Sequence, residues 1–131
     1  MITIPEDIVS AIIGQAQNEL PNEACGLLAG VDGKVVKRYA MTNADQSPEH
    51  FSFDPAEQFK VLRDTRAAGT GIIANYHSHP ETPSRPSQED IRLAYDPNIL
   101  YLIVSLATET PVLKAFRIRN GQSEEVKIEI I

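Results

Sequence analysis

The sequence predicts an α/β domain in three layers, with a mixed or mainly antiparallel sheet and helices packed against it. Three observations carry this expectation. Apolar segments of strand character are interleaved with helical stretches, several neighbouring strands are joined by tight turns, and no internal repeat or low-complexity tract interrupts the pattern. At 131 residues and 42% hydrophobic content the chain has enough material for one core, so residues 1–131 are expected to form a single domain.

The elements follow in order. After a short strand at Ile2 to Ile4, Pro5 suits a first helical turn, and Ile8, Ile12, Ile13 and Ala16 recur at helical spacing as far as Glu19. Pro21-Asn22 ends that helix, and the small, apolar run Ala24 to Gly30 reads as a buried strand before the turn signal Asp32-Gly33. Lys34 to Met41 returns as its partner. The polar stretch Thr42 to His50 is the one substantial loop, closing on a short strand candidate, Phe51-Ser52-Phe53. Asp54-Pro55-Ala56-Glu57 supplies a cap, a first-turn proline and a first-turn acid, and Gly69 sits where a helix stops, so the second helix spans Pro55 to Ala68.

Gly71 to His77 is an apolar strand, and Ser78 to Pro86 a proline-rich loop. Ser87-Gln88-Glu89-Asp90 opens a short helix reaching about Tyr95. Leu100 to Leu106 reads as the central strand, and Val112 to Arg119, the Asn120-Gly121 turn and a closing strand Glu125 to Ile130 complete the chain.

Composition excludes several functions. A net charge of -6 argues against a nucleic-acid partner, because such binding depends on Lys and Arg displacing counterions. No apolar run approaches the ~20 residues that span a bilayer, and the N-terminus lacks the basic region of a signal peptide. A soluble, cytoplasmic protein without a membrane partner is expected. The single cysteine, Cys25, rules out an intramolecular disulfide and fits a reducing compartment.

The chemistry concentrates at Tyr76-His77-Ser78-His79-Pro80, which places two imidazoles at i and i+2 on an apolar strand, facing the same way. Their backbones stand ~6.6 Å apart, a gap two imidazoles can bridge to one ion at about 2.0 to 2.1 Å from each nitrogen. Ten residues separate His79 from Asp90, enough for the loop to fold back and add a carboxylate. His, His and Asp with a fourth position left for water is the open arrangement of catalytic zinc, whereas structural zinc is closed by four ligands, most often cysteines.

With Glu23 upstream, Pro80 after the second histidine and Pro86-Ser87-Gln88-Glu89-Asp90 downstream, the chain resembles the JAMM (MPN-type) metalloproteases, whose signature is a distant Glu, then His-x-His, ten residues and Asp. The likeness extends to Pro21 through Gly30 and to Phe53-Asp54-Pro55, covering most of the chain. It implies an MPN, cytidine-deaminase-like fold. Carried over position by position, it implies that His77, His79 and Asp90 bind Zn2+, that Glu23 is the general base, and that Ser87 helps hold the oxyanion. These roles suit the chemistry: zinc can bring the pKa of water from 15.7 to roughly 7, a carboxylate can take and return the proton, and a hydroxyl can stabilise charge in the tetrahedral state.

Each residue also has a plainer reading. Ser87 is a good helix N-cap, and both roles are compatible because a hydroxyl accepts from an amide while donating outward. Asp90 at the third helical position would favour the helix dipole on its own. Glu23, with 53 residues between it and His77, reads alone as a loop charge, so its role comes from the resemblance. Cys25 reads as packing, His50 as a loop surface residue with substrate contact as its alternative, and Glu81 and Glu89 as solvent-exposed acids.

Relatives of this kind cleave peptide or isopeptide bonds after the C-terminal glycine tail of ubiquitin-like or sulfur-carrier proteins, and a chain this short is similar to the prokaryotic branch. The resemblance implies such a carrier as the substrate partner. The alternatives are a non-catalytic MPN-type scaffold and a small-molecule amidase or deaminase, since fold alone does not settle function.

Overall fold

The computed structural model describes residues 1–131. Strands β1 (Ile2–Ile4), β2 (Cys25–Val31), β3 (Lys34–Met41), β4 (Gly71–His79), β5 (Leu100–Ser105), β6 (Val112–Arg119), β7 (Gln122–Val126) and β8 (Ile128–Ile130) alternate with helices α1 (Glu6–Asn18), α2 (Pro55–Ala68) and α3 (Gln88–Arg92). The strands form one mixed sheet in the order β7-β6-β5-β4-β2-β3-β1-β8. β4 runs parallel to β5, and β1 parallel to β3 and β8; the remaining pairs are antiparallel. No helix is long and apolar enough to cross a membrane.

The two outermost strands are neighbours in sequence, separated only by Lys127. One continuous segment therefore joins both ends of the sheet, which must curl round to meet it. The expected single closing strand is two strands, because the segment changes partner midway: Val126 pairs with Ala115, and Ile128 with Ile2.

Inside the curl lies α1. Its Val9, Ile12 and Ala16 pack with Leu28, Ala74, Tyr76, Leu102 and Val104 in one cluster of 14 buried residues. The opposite face carries α2 and α3, giving the three layers. Strand alternation makes the division: Leu28, Ala74 and Tyr76 face α1, whereas Leu27, Asn75 and His77 face the other way. Gly26 sits where a Cβ would collide with the Tyr76 ring, so only glycine lets that ring lie across β2. The Tyr76 hydroxyl bonds Gln15 at 2.5 Å and accepts from Arg38 at 3.1 Å, tying β4 to α1 and β3.

Helix α2 has the expected bounds, with Asp54 accepting from the Ala56 and Glu57 amides and Gly69 closing it in the left-handed region at φ 72°. Three further expectations change. Strand β4 runs on to His79, two residues into the expected loop, because Ser78 and His79 continue the ladder with Val104 and Ser105 of β5. Phe51-Ser52-Phe53 is an isolated bridge from Phe53 to Asn43 rather than a strand, because the Asn43 side chain takes backbone groups that a ladder would use. Helix α3 stops at Arg92, short of Tyr95. Pro97 disfavours helix at Asp96, and the Tyr101 hydroxyl bonds both the amide and the carbonyl of Asp96.

Candidate metal centre

The site forms where the C-terminal end of β4 meets the start of α3. His77 and His79 are buried side by side on the face turned toward α2 and α3, and their Nε2 atoms are 3.2 Å apart. Asp90 brings Oδ2 to 3.2 Å from His77 Nε2 and 3.0 Å from His79 Nε2. These separations match the donor set of a small divalent ion: tetrahedral bonds of about 2.0 to 2.1 Å place ligand atoms about 3.3 Å apart. The three residues fit a metal and leave one corner free.

A local capping motif fixes the carboxylate. Ser87 Oγ accepts from the Asp90 amide at 3.0 Å, and the Ser87 amide donates to Asp90 Oδ2 at 2.9 Å, a reciprocal capping box. The helix-dipole reading of Asp90 and its place in the donor cluster therefore coexist, since the same oxygen serves both. Ser87 is the N-cap, and its hydroxyl proton remains free to donate outward.

Glu23 reaches the site through strand pairing. Cys25 is opposite His77 in the β2–β4 register, and the Ser78 amide donates to the Ala24 carbonyl at 3.0 Å, so continuing the register sets Glu23 beside His79. Ser78 also clips this junction from its side chain, with Oγ accepting from the Ala24 amide at 2.7 Å. Glu23 is 3% exposed, and its Oε1 finds no partner on the protein.

The electrostatics follow from burial and proximity. Burial pushes the Glu23 carboxyl up to about 8, with His79 opposing the shift and Asp90 and Glu89 adding to it. His77 is held below the usual imidazole range by burial, so its neutral, ligating form is favoured. For His79 burial acts downward, but hydrogen bonds to Asp90 and the Pro83 carbonyl leave it above that range. Burial would raise Asp90, yet the two histidines and the Ser87 amide hold it far below the ordinary carboxylate range.

Beside the cluster lies a cavity of about 470 Å³ between α2 and α3, floored by Leu27, Asn75, Tyr101 and Ile103. His50 keeps the exposed loop position expected of it, lines the cavity and pairs with Asp45 at 3.0 Å. Cys25 packs: it is fully buried beneath Met41 and Val61, and burial pushes its thiol up to about 12. Glu89 pairs with Arg92 at the cavity rim.

Three residues were not singled out from the sequence. Ser78 had a signal, since a polar residue between two histidines on an apolar strand must point toward the opposite layer. Asn43 and Phe51 had none, because their partners lie far along the chain.

The family model described as prokaryotic homologs of the JAB domain matches residues 5–119. The chain is 35% identical to the CysO-cysteine peptidase of Mycobacterium tuberculosis strain H37Rv, over all of this chain and 92% of that one. It is 29% identical to the desampylase of Pyrococcus furiosus, over 98% and 90% of the two chains. Its fold is also similar to the solution structure of a Desulfitobacterium hafniense protein, with a TM-score of 0.92 and 47% identity over 100% of this chain and 93% of that one.

Proposed function

Because the chain belongs to the family of prokaryotic JAB-domain homologs, we propose that it is a zinc peptidase of JAMM type. It hydrolyses the peptide or isopeptide bond that follows the C-terminal glycine tail of a ubiquitin-like or sulfur-carrier protein. The observation that carries this reading is the convergence of His77 Nε2, His79 Nε2 and Asp90 Oδ2 to within 3.2 Å of one another beside a buried carboxyl. Imidazole and carboxylate donors in this open set suit zinc.

His77, His79 and Asp90 are the proposed ligands. Zinc held there supplies Lewis acidity, which polarises a carbonyl and acidifies water from 15.7 toward roughly 7. Glu23 is the general base: its unpartnered Oε1 takes a proton from the attacking water and returns it to the leaving amine. Burial supports this role, because it makes the carboxylate a stronger base than an exposed one, better suited to take a proton from water and pass it on. Ser87 keeps its acceptor side on the helix and turns its proton toward the developing oxyanion.

The glycine tail enters along the cavity beside the cluster, where extended backbone can lie over Leu27 and Asn75. Small residues at its end let the scissile carbonyl approach the buried histidines closely.

Mass spectrometry of ubiquitin-like conjugates incubated with wild-type protein and with Glu23→Gln tests the proposal. Cleavage after the terminal glycine by the wild type alone is the expected result. Intact conjugates together with stoichiometric zinc would instead mark the chain as a scaffold.

A further inference from the structure

The two histidines are held in different ways. His79 meets the Pro83 carbonyl with Nδ1 at 2.9 Å. His77 Nδ1 is buried and finds no acceptor on the protein. A ligating imidazole almost always gives that outer N–H to an acceptor, and the bond sets the plane of the ring. Without it the ring torsion is broad, and rotation would swing Nε2 away from the other two donors.

What His77 has in place of that bond is an aromatic face. The Phe51 ring lies on it with centroids 4.7 Å apart and planes at 26°, an offset stack. Phe53 backs Phe51 at 5.5 Å and 59°, and both pack on the small apolar cluster of Cys25, Leu27, Met41 and Val61. We propose that Phe51 is a positioning residue for the metal centre, its stacked ring holding the plane of His77 in the role that a hydrogen bond plays for His79. This rests on the reading of His77, His79 and Asp90 as zinc ligands.

Asn43 holds Phe51 in register. Its side-chain amide donates to the carbonyls of Glu23 at 3.0 Å and His50 at 3.1 Å. Its side-chain oxygen accepts from the amides of Asp45 at 3.0 Å and Ser52 at 3.4 Å. Both peptide neighbours of Phe51 are thereby clamped, and the same asparagine grips the backbone of Glu23. A second strap runs from the Glu23 amide to the Ser47 carbonyl at 2.8 Å. One loop thus sets a metal ligand through a ring and the general base through its backbone.

Phe51 also lines the cavity, so the competing role is a wall for substrate. Phe51→Leu keeps an apolar side chain but loses the flat face, whereas Phe51→Tyr keeps the face. Zinc affinity, measured by competition with a chromophoric chelator, and the visible spectrum of Co2+-substituted protein both report on coordination without turnover.

Phe51→Leu is expected to weaken zinc by about tenfold or more, the usual cost of losing an outer partner, and to shift the Co2+ bands. Phe51→Tyr is expected to stay near wild type in both. Should the leucine variant fail to fold, Phe51→Met is read by the same criteria. Unchanged zinc affinity and Co2+ bands in the flat-face-deficient variant, with only the KM for conjugate raised, would overturn the proposal and leave Phe51 as a groove wall. A wild-type protein that binds no zinc would overturn the ligand assignment itself, and this inference with it.

Discussion

The two faces of the sheet use the same strands for opposite purposes. Toward α1, Leu28 of β2, Ala74 and Tyr76 of β4, and Leu100, Leu102 and Val104 of β5 enter one cluster of 14 buried side chains, and the polar groups there, Gln15, Arg38 and Tyr76, bond one another. Toward α2 and α3, the intervening residues form two separate clusters of four with the cavity between them. All three buried side-chain atoms lacking a protein partner, Glu23 Oε1, Asn75 Oδ1 and His77 Nδ1, belong to this second face. Since an unsatisfied buried polar group costs about 1 to 3 kcal/mol, these three atoms draw stability down on the second face. Alternation along β4 thus separates support from chemistry by a single residue.

Substitutions on each face put that division at risk. The largest effect is expected from Glu23→Gln, which should lower kcat by ~10² to 10⁴-fold in conjugate-cleavage kinetics while zinc content by metal analysis stays at the wild-type level. Loss of zinc in this variant would mean that the carboxyl holds the metal and the ascribed roles must be redrawn. Ser87→Ala should lower kcat by roughly 10²-fold through the lost oxyanion donor, and stability by about 1 kcal/mol through the lost cap. Denaturant unfolding and turnover read these separately, and Ser87→Thr should restore both.

On the α1 side, Ile12→Ala should cost about 2 to 5 kcal/mol in denaturant unfolding, with kcat at permissive temperature little changed. A fall in kcat comparable to that of Ser87→Ala would show that the two faces are coupled after all. A separate test uses pH. In chelator-treated protein the Glu23 carboxyl titrates near 8 when folded and near the ordinary carboxylate value of 4.5 when unfolded. Between those values the folded state retains a proton the unfolded chain has released, so stability should decline as pH rises through the window and level off above it. Thermal melts at pH 5 and pH 8 measure this, and Glu23→Gln should flatten the trend.

Much of the site was legible because its grammar is local. The i, i+2 histidines follow from strand alternation, and Ser87 with Asp90 reads as a capping box within four residues. Helix α2 has both caps written in its own sequence, from Asp54 to Gly69. The misplaced boundaries share one cause. Phe51 to Phe53 looked like a strand until Asn43 took its backbone partners, α3 looked longer until Tyr101 bonded Asp96, and the last strand looked continuous until it changed neighbours at Lys127. In each case a contact from another element overrode a local preference.

By itself the sequence determined the class of fold, the spacing of the donors and the chemistry those donors favour, since these depend on backbone periodicity and side-chain type. Long-range packing places Glu23 beside His79, stacks Phe51 on His77 and closes the sheet round α1. Those arrangements join residues up to tens of positions apart through strand register and packing, and no local pattern of residues encodes which distant partner the chain will meet.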